Sequence, residues 1–349
     1  MKVWYDGVIW SRQIMGGVNR YFARLIDGLP NDVEPVLTVE HIRDIHFPTN
    51  PRLKVLRCTR KGDKIISDVQ CNIVHPTYFE LLSNRDILKS HVPVVLTVHD
   101  ALHELFPALA DPSGEQQAWK KALIPAADHL ICVSHNTKKD VMEIFGVPES
   151  RISVVHHASD LSVNMANEYQ LAYEWPYFLY VGHRYSYKNV PRLLDAFSIL
   201  KKKRTDIRLC FTGTPFSAEE RCHIASLELD NSVIYSGYVS DSKLAALYKN
   251  AVALVYPSLY EGFGIPLLEA MACNCPVIAS NTSSIPEVTG DASLLVDPMN
   301  TDEMAHAMGS LLDDDSLRKN LVERGKYRTD MFSWEKTVAD TVKVYRTFV

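Results

Sequence analysis

The feature that most constrains the fold is an alternation of short β-branched runs with amphipathic stretches, which starts again midway along the 349 residues. KVWY precedes NRYFARLIDGL near the N-terminus, and HLICV precedes NTKKDVMEIF. YFLYVG and VPRLLDAFSILKKK then begin a second series. Such alternation is typical of parallel strands joined by helical crossovers. The sequence therefore predicts an α/β protein of two Rossmann-like, doubly wound domains that face each other across a cleft.

The predicted boundaries follow from a more irregular, polar stretch between the two series, residues 158–175. Residues 1–165 are assigned to the N-terminal domain and residues 176–330 to the C-terminal domain. The remaining segment, residues 331–349, is predicted to be a helix that packs back on the N-terminal domain.

Composition excludes several classes of protein. The net charge of −5 gives no global electrostatic basis for binding nucleic acid. The seven cysteines contain no Cys-x-x-Cys, which indicates free thiols in a reducing compartment. The N-terminal MKVWYDGVIW has no uninterrupted apolar core, and apolar runs such as VPVVLTV have only the length of a strand. We therefore expect a cytoplasmic protein, at most attached to a membrane surface.

The most informative segment is YPSLYEGFGIPLLEAMACNCPVIAS, residues 256–280. A strand is predicted to end near Tyr256 and a helix to begin near Pro266, because proline is well tolerated in the first helical turn. Between them, Gly262 and Gly264 permit the backbone to approach a ligand closely. The unpaired N–H groups at the start of the helix favour an anion such as a phosphate.

Two glutamates in this segment have the spacing E-x7-E. Glu269 falls in the early turns of the helix, where its carboxylate can accept two hydrogen bonds from a ribose diol. Glu261 lies in the preceding loop and can receive the hydroxyls of a second sugar. A glycine loop before a helix also serves structural turns, and most glutamates are solvated. The pair by itself therefore favours a structural interpretation.

A second segment, YVGHRYSYKN at residues 180–189, changes that balance. Gly182 is predicted at the end of a strand, with Arg184 and Lys188 just before a helix. Two cations beside a helix N-terminus would neutralise a diphosphate, although either one alone is ordinary surface charge. Backbone and apolar contacts for a base are predicted further on, in SGYVSDSKLAALY, at Gly237, Tyr238 and Val239.

Together these segments resemble the donor half of the retaining GT-B glycosyltransferases of family 4 (glycosyl transferases group 1). GGVNRYF at residues 16–22 resembles the Gly-Gly loop of that family, and TVHD resembles the segment that carries the histidine of its catalytic centre. VSHNTKKDV and RISVVHHASD follow in family order. The resemblance spans nearly the whole chain and is strongest from 178 to 297. SSIPEVTGDAS is similar to mannosyltransferase-like members.

The resemblance implies a role for each matched residue. Arg184 and Lys188 would hold the donor diphosphate. Glu269 would bind the ribose and Glu261 the transferred sugar. His99 would approach the donor sugar from the N-terminal domain. The remaining donor contacts would come from Gly16, Gly17, Gly182, Gly237, Tyr238, Val239, Gly262, Phe263, Gly264 and Ile265. No cofactor and no obligatory metal are implied, and Asp313, Asp314 and Asp315 are interpreted as helix-capping and solvated residues.

Two positions depart from the family pattern. His183 stands where many members carry an arginine directly after Val-Gly, so Arg184 is displaced by one place. His157 and Ala158 stand where Asn-Gly is common, so no role is carried over to them.

A basic cluster near the N-terminal third has two interpretations. A solvated loop and strand edge is the favoured one, and the alternative is a peripheral site for anionic lipid head groups on the inner face of a membrane. The cluster consists of Arg52, Lys54, Arg57, Arg60, Lys61 and Lys64.

The favoured function is a retaining hexosyltransferase that uses a GDP- or UDP-sugar, with GDP-mannose preferred. Its acceptor would be a glycan or a lipid-linked molecule in surface polysaccharide assembly. A sugar-nucleotide epimerase or hydrolase on the same fold is the first alternative, and a Rossmann oxidoreductase and a non-catalytic binding subunit are the further ones. A Rossmann oxidoreductase is disfavoured because IMGGVNRYF lacks the G-x-G-x-x-G pattern.

Overall fold

The protein consists of two compact units. The computed structural model describes residues 1–12, 16–40, 46–58, 70–82, 91–171 and 173–349. The first unit combines residues 1–157 with residues 333–349, and the second comprises residues 158–332. Residues 158–165, which the sequence assigns to the N-terminal domain, thus belong to the second unit, and the segment from residue 333 onward belongs to the first.

The first unit contains parallel strands throughout its described part. They are β1 (Lys2–Asp6), β2 (Glu34–Val39), β3 (Lys54–Arg57), β4 (Ile73–Pro76), β5 (Val95–Val98), β6 (His129–Cys132) and β7 (Ile152–Val154). Their order is β3-β2-β1-β4 in one sheet and β5-β6-β7 in another, and a parallel bridge between Val74 and Val94 connects the two. Strands β4 and β5 are buried along their whole length, as the central strands of parallel sheets are.

Helices of the first unit carry the segments between these strands. They are α1 (Ile9–Arg12), α2 (Gly17–Asp27), α3 (Leu102–Leu105), α4 (Pro107–Ala110), α5 (Glu115–Ala126) and α6 (His135–Phe145). Capping fixes the ends of α6: Ser134 Oγ accepts from the Thr137 N–H, and Gly146 follows the helix with a φ of 65°. Both features are common at helix ends because they satisfy backbone groups that have no intrahelical partner.

The second unit has one six-stranded parallel sheet. Its strands are β8 (Tyr177–Val181), β9 (Arg208–Thr212), β10 (Val233–Tyr235), β11 (Ala253–Tyr256), β12 (Val277–Ser280) and β13 (Leu294–Val296). The spatial order is β10-β9-β8-β11-β12-β13. The chain therefore moves outward from β8 in one direction and later returns to its other side at β11.

Helices cover both faces of this sheet. They are α7 (Val190–Lys201), α8 (Ala218–Ser226), α9 (Asp241–Asn250), α10 (Ile265–Ala272), α11 (Ile285–Thr289), α12 (Thr301–Asp313) and α13 (Asp315–Thr329). Phe178 and Tyr180 of β8 lie in a core with apolar residues of α7 and α12. The alternate residue Tyr177 points the other way, and its hydroxyl donates to the Leu247 carbonyl of α9.

One helix that follows the second unit, α14 (Trp334–Arg346), belongs to the first. Val338, Val342 and Tyr345 lie in the core that contains β1 and α2 residues. The Tyr345 hydroxyl lies 2.5 Å from His75 Nδ1 and 3.1 Å from the Tyr5 hydroxyl. The helix is therefore tied to the first unit by both apolar packing and buried hydrogen bonds.

The length and hydropathy of the helices bear on whether any of them could cross a membrane. Among the described helices, none combines the length and the apolar character that crossing a membrane requires.

Candidate active site

The sheet of the second unit has a switch point, where the direction of the strand order changes. Strands β8 and β11 are neighbours, but the loop after β8 leads to α7 and the loop after β11 leads to α10, on opposite faces of the sheet. In open parallel sheets, ligands bind outside the carboxyl ends of the strands at such a switch point. Lys188 follows β8 and Glu261 follows β11, so both predicted residues fall at this place.

Lys188 and Glu261 form an ion pair across the switch point. Lys188 Nζ donates to Glu261 Oε1 over 2.6 Å, with the two side chains 15% and 11% exposed. The ammonium group also lies 5.1 Å from the ring centroid of Tyr187 and 5.5 Å from that of Tyr256. Burial and the adjacent Glu261 carboxylate raise the pKa of Tyr256 well above its ordinary value, so this hydroxyl stays protonated.

Asn189 fixes the position of Lys188 and was not predicted. Its φ is 59°, a left-handed conformation that asparagine tolerates better than most residues. Its buried side-chain amide donates to the Pro257 carbonyl over 3.1 Å and to the Pro298 carbonyl over 2.7 Å. The loops after β8, β11 and β13 are thereby joined. An asparagine directly before a helix that begins Val-Pro is the available sequence signal.

Glu261 is held by a run of hydroxyl residues that the sequence reading also missed. The Glu261 N–H donates to Ser283 Oγ over 3.0 Å. Ser284 Oγ donates to the Glu261 carbonyl over 2.9 Å and to the Phe263 carbonyl over 3.0 Å. Thr282 Oγ1 donates to the Leu259 carbonyl over 3.1 Å. The segment Thr282–Ser284 therefore sets the backbone of the predicted sugar-binding loop.

Helix α10 begins without a side-chain cap. Gly264 precedes it with a φ of 104°, and a Cβ at this position would lie 2.8 Å from Leu267 Cδ1. The backbone conformation therefore favours glycine, and a Cβ would also have to displace the end of the Leu267 side chain. Ile265 and Pro266 open the helix, which leaves N–H groups at its start available for an anion.

Glu269 lies further along α10 and is buried. The hydroxyl of Tyr248, from α9, donates to Glu269 Oε2 over 3.0 Å. Burial, followed by the charge of Glu269, raises the pKa of Tyr248 well above its ordinary value, so the tyrosine remains a donor. A carboxylate fixed at one oxygen keeps acceptor capacity for further hydroxyl groups.

Glycines end three adjacent strands of the sheet. Gly182, Gly213 and Gly237 follow β8, β9 and β10 with φ values of 116°, 107° and 71°. The Gly213 N–H donates to the Gly237 carbonyl over 3.0 Å, and a Cβ on Gly213 would lie 2.9 Å from the Gly182 carbonyl oxygen. Tyr238 beside them is 62% exposed. Gly213 was not predicted, although the FTG sequence after β9 was a visible signal.

Arg184 is engaged away from the Lys188–Glu261 pair. Its Nε donates to Glu220 Oε1 over 2.6 Å, and its NH2 donates to the Pro215 carbonyl over 2.8 Å. The guanidinium carbon lies 4.5 Å from the ring centroid of Phe216. The structure thus brings Lys188 and Glu261 together but places the Arg184 guanidinium in the loop after β9.

The first unit holds the other predicted residues. His99 directly follows β5, and its ring makes an edge contact with Tyr21 of α2 at 5.3 Å and stacks against His157 at 5.6 Å. Gly16 and Gly17 lie at the start of the same helix α2. Burial lowers the pKa of His99 to about 4, so the imidazole is neutral near pH 7. His157, to which the sequence gave no role, is part of this ring cluster.

The basic cluster is only partly within the described residues. Arg52 NH1 donates to the Pro30 and Val33 carbonyls over 2.7 and 2.8 Å. Lys54 and Arg57 are exposed on β3. Arg60, Lys61 and Lys64 lie outside the described part of the chain. Arg52 therefore has a structural contact, while Lys54 and Arg57 remain available to solvent.

The acidic run near the last helices has local partners. Asp314 Oδ1 accepts from the Leu317 N–H at the start of α13. Asp313 pairs with Arg204, and Asp315 pairs with Arg318. Asp314 therefore caps α13, as predicted, and Asp313 and Asp315 form ion pairs.

Two known sequence families match successive parts of the chain. Residues 15–163 match the family described as Glycosyltransferase Family 4, and residues 164–328 match Glycosyl transferases group 1. The chain belongs to glycosyltransferase family 4. The Lys188–Glu261 site lies within the second matched region.

Similar proteins include named mannosyltransferases. O-antigen chain mannosyltransferase B from Escherichia coli is 33% identical over 236 residues, which cover 64% of this family 4 chain and 61% of that protein. MMP alpha-(1->4)-mannosyltransferase from Mycolicibacterium hassiacum is 30% identical over 281 residues, which cover 74% of this chain and 66% of that protein. The chain thus spans less than two thirds of the length of these relatives.

Solved structures establish the fold of this family 4 chain. Sucrose-phosphate synthase from Thermosynechococcus elongatus matches with a TM-score of 0.78 and 20% identity, covering 99% of this chain and 98% of that one. Anabaena HepE, in complex with UDP and glucose, matches with a TM-score of 0.77 and 14% identity, covering 99% and 100%. The predicted GT-B fold is confirmed, with parallel sheets in both units.

Proposed function

We propose that this chain transfers mannose from GDP-mannose to a glycan or lipid-linked acceptor in surface polysaccharide assembly. The observation that carries the proposal is the Lys188–Glu261 ion pair at the switch point of the second sheet. The mannosyltransferase names of the similar proteins, one of them an O-antigen enzyme, support the sugar and the pathway class. The donor base is proposed as guanine, with uracil as the alternative that the experiment below distinguishes.

The donor diphosphate is assigned to Lys188 and to the start of α10. As the glycosidic bond breaks, negative charge grows on the leaving diphosphate, and a cation with fixed N–H donors stabilises it. Lys188 already has a fixed position because Asn189 and the Tyr187 backbone tie its loop to the loop after β11; the Leu259 N–H donates to the Tyr187 carbonyl over 2.8 Å. Little reorganisation is then needed when the donor binds.

The sugar and the ribose are assigned to the two glutamates. A carboxylate offers about four lone-pair sites, so Glu261 can accept from Lys188 and from sugar hydroxyls together. Glu269, oriented by Tyr248, accepts from the ribose diol. Gly237, Tyr238 and Val239 supply the contacts to the base.

His99, with Gly16 and Gly17, is the candidate set of the first unit. A neutral imidazole can donate or accept one hydrogen bond at the donor sugar without adding charge. We propose transfer with retention of anomeric configuration, with the leaving diphosphate assisting deprotonation of the acceptor on the same face. No metal is required in this scheme because Lys188 supplies the positive charge.

We propose a cytoplasmic location, with contact to the inner face of a membrane through the basic cluster. Lys54 and Arg57 are its exposed members on β3. Charge reversal at both should weaken partitioning to anionic vesicles, since each Lys or Arg near the surface contributes about 1 kcal/mol to the free energy of binding anionic lipid. Equal flotation of wild type and variant would contradict membrane contact through this cluster.

The test is a thermal-shift panel with GDP, UDP, ADP, GDP-mannose, UDP-sugars and NAD. A ligand at 100 times its Kd adds about 2.7 kcal/mol of stability, which a melting curve detects. We expect GDP and GDP-mannose to raise the melting temperature, and the Lys188→Ala variant to lose the response. A response to UDP and UDP-sugars alone would show that the donor base is uracil and not guanine. A response to NAD alone would overturn the assignment of a sugar-nucleotide donor.

A further inference from the structure

A cavity of about 680 Å³ opens beside the loop after β8 in the second unit. Its volume lies within the range of roughly 300–1,000 Å³ that small-molecule sites occupy. It is bordered by the loops after β8 and β9 and by the first turns of α7 and α8. Lys188, Glu261 and Glu269 are not among its described lining residues. The cavity is therefore a separate space from the proposed donor site.

The cavity and Glu269 of the proposed donor site lie on opposite faces of the sheet. Val190 and Leu194 of α7 line the cavity, and both belong to the core on the α7 face. Glu269 is bonded to Tyr248 of α9, and α9 meets the opposite face through the Tyr177 hydroxyl. A ligand in the cavity would thus not compete with the ribose assigned to Glu269.

One side of the cavity is a platform of aromatic rings. Tyr185 is 58% exposed, and its ring stacks on His183 with centroids 5.2 Å apart and planes 22° apart. Tyr187 continues the stack at 6.1 Å from Tyr185. Burial, together with the charges of Lys188 and Arg184, lowers the pKa of His183, so this ring is uncharged at neutral pH. An exposed ring supported from behind offers an apolar face to the C–H face of a pyranose.

The other side carries polar groups with no excess positive charge. Arg184 and Glu220 form a close ion pair, and the exposed Glu219 adds a negative charge. An anionic ligand is therefore disfavoured here. Arg184, whose side chain is only 3% exposed, has no hydrogen-bond partner at NH1 among the described residues. A buried donor without a partner is costly, and a ligand oxygen would satisfy it.

We propose that this cavity binds a neutral saccharide, with a pyranose ring stacked on Tyr185 and its hydroxyls paired with Arg184, Glu220 and Thr214. A saccharide combines an apolar ring face with several hydroxyls that both donate and accept, which matches the two sides of the cavity. The site goes beyond the transfer reaction: it holds a glycan chain on the enzyme at a place other than the donor site. The glycan can be the acceptor before transfer or the product after it.

The proposal is tested by direct binding of oligosaccharides without nucleotide. The probes are linear mannotriose, maltotriose and chitotriose, measured by saturation-transfer NMR and calorimetry. We expect the wild type to bind at least one of them and Tyr185→Ala to weaken that binding about tenfold or more. Tyr327→Ala is the matched control, because Tyr327 is a 75% exposed tyrosine on α13 and does not line the cavity. It should bind as the wild type does.

The outcome shows whether the bound glycan is the acceptor or the product, and some outcomes contradict the proposal. If Tyr185→Ala raises KM more for long acceptors than for short ones, the site binds the acceptor. If the variant changes only the length of the product, the site binds the product. Wild type that binds none of the probes, or Tyr185→Ala that binds them unchanged, overturns the proposal. Displacement of the saccharide by GDP would also overturn it, because the sugar would then occupy the donor site. Tyr185-dependent binding without any nucleotide response would instead refute the proposed donor.

Discussion

The two units place their candidate residues in opposite surroundings. In the second unit Lys188 and Glu261 are charged, lie in loops and are fixed by hydrogen bonds such as that between Glu261 and Ser283. In the first unit His99 is a neutral ring packed against Tyr21 and His157. The second unit thus presents charged candidate residues on loops, whereas the first unit holds its candidate imidazole in a buried cluster of rings.

The difference has a measurable consequence. A substitution in the loop site should reduce activity far more than stability, because few apolar contacts are lost. A substitution in the ring cluster should reduce stability first, because a buried ring is removed.

The largest effect is expected for Lys188→Ala. Loss of a fixed charge that stabilises the leaving diphosphate should lower kcat/KM by about 10³-fold, the upper end of the range for one such group. The melting temperature should fall less than for a core substitution, since Lys188 lies in the loop after β8 and its loss removes few apolar contacts. Steady-state kinetics with GDP-mannose and a melting curve measure both.

The control for this variant is Lys202→Ala, an exposed lysine at the end of α7. It should retain wild-type kinetics. If Lys188→Ala keeps near-normal turnover, the Lys188 charge does not act on the reaction. The expected difference between the two units would then be wrong.

The next effect is expected for His157→Ala. His157 is 4% exposed, and removing its ring should cost about 3 kcal/mol, as for other buried aromatic side chains. His157→Phe keeps a ring in the cluster and should restore most of that stability. Urea unfolding of both variants, with the exposed His135→Ala as control, gives the values. Equal stability of His157→Ala and wild type would mean that the ring cluster does not support the first unit.

A smaller effect is expected for Ser284→Ala. Its buried hydroxyl donates to two carbonyls of the Glu261 loop, so its loss should cost about 2 kcal/mol. KM for the donor should rise at the same time, because the loop loses its fixed backbone. Ser226→Ala, whose exposed hydroxyl donates to the His223 carbonyl, is the control. If Ser284→Ala loses stability but keeps the wild-type KM, the Glu261 loop does not contribute to donor binding.

The last prediction is a dependence of stability on pH that comes from the first unit. Burial lowers the pKa of His75 to about 3 and that of His99 to about 4, below the ordinary value of 6.5. Between pH 6.5 and 4 the unfolded chain therefore binds more protons than the folded one, and the free energy of unfolding falls as the pH falls. Each histidine contributes up to about 1.4 kcal/mol per pH unit.

The measurement compares urea unfolding at pH 7, 6 and 5 for wild type and His75→Gln. The variant should show a shallower decline, because one titrating group has been removed. Parallel slopes would assign the acid sensitivity to groups other than His75. The folded pKa values also predict that the protein regains its stability when the pH is returned to 7.

Much of the second unit could be predicted because its information is local. Strand β11, the glycine loop and α10 follow one another in the sequence, so their order together with the YVGHRYSYKN segment indicates an anion site. The Glu261–Ser283 bond joins residues 22 positions apart, and the Arg184–Glu220 bond joins residues 36 positions apart. The sequence spacing of these residues predicts neither bond, because each bond depends on how two loops meet after the sheet has formed.

The first unit was harder to read for a related reason. His157 takes part in a ring cluster assembled from α2, the end of β5 and the start of α14, and no short motif connects these segments. The family pattern gave no guide at His157 because another residue is common there. Helices α3 and α4 were missed because each is a single turn, too short to show a hydrophobic period.

The path of α14 has a consequence for biosynthesis. Because this helix follows the second unit in the chain but packs in the core of the first, a ribosome completes residues 158–332 before it makes the helix. Until then the first sheet lacks Val338, Val342 and Tyr345, and the His75 side chain lacks its Tyr345 partner. Domains otherwise tend to fold as they emerge, N-terminal first. Here the second unit can reach its native state on the ribosome before the first. A nascent chain halted at residue 332 should leave the apolar residues that pack against α14 exposed to chaperones.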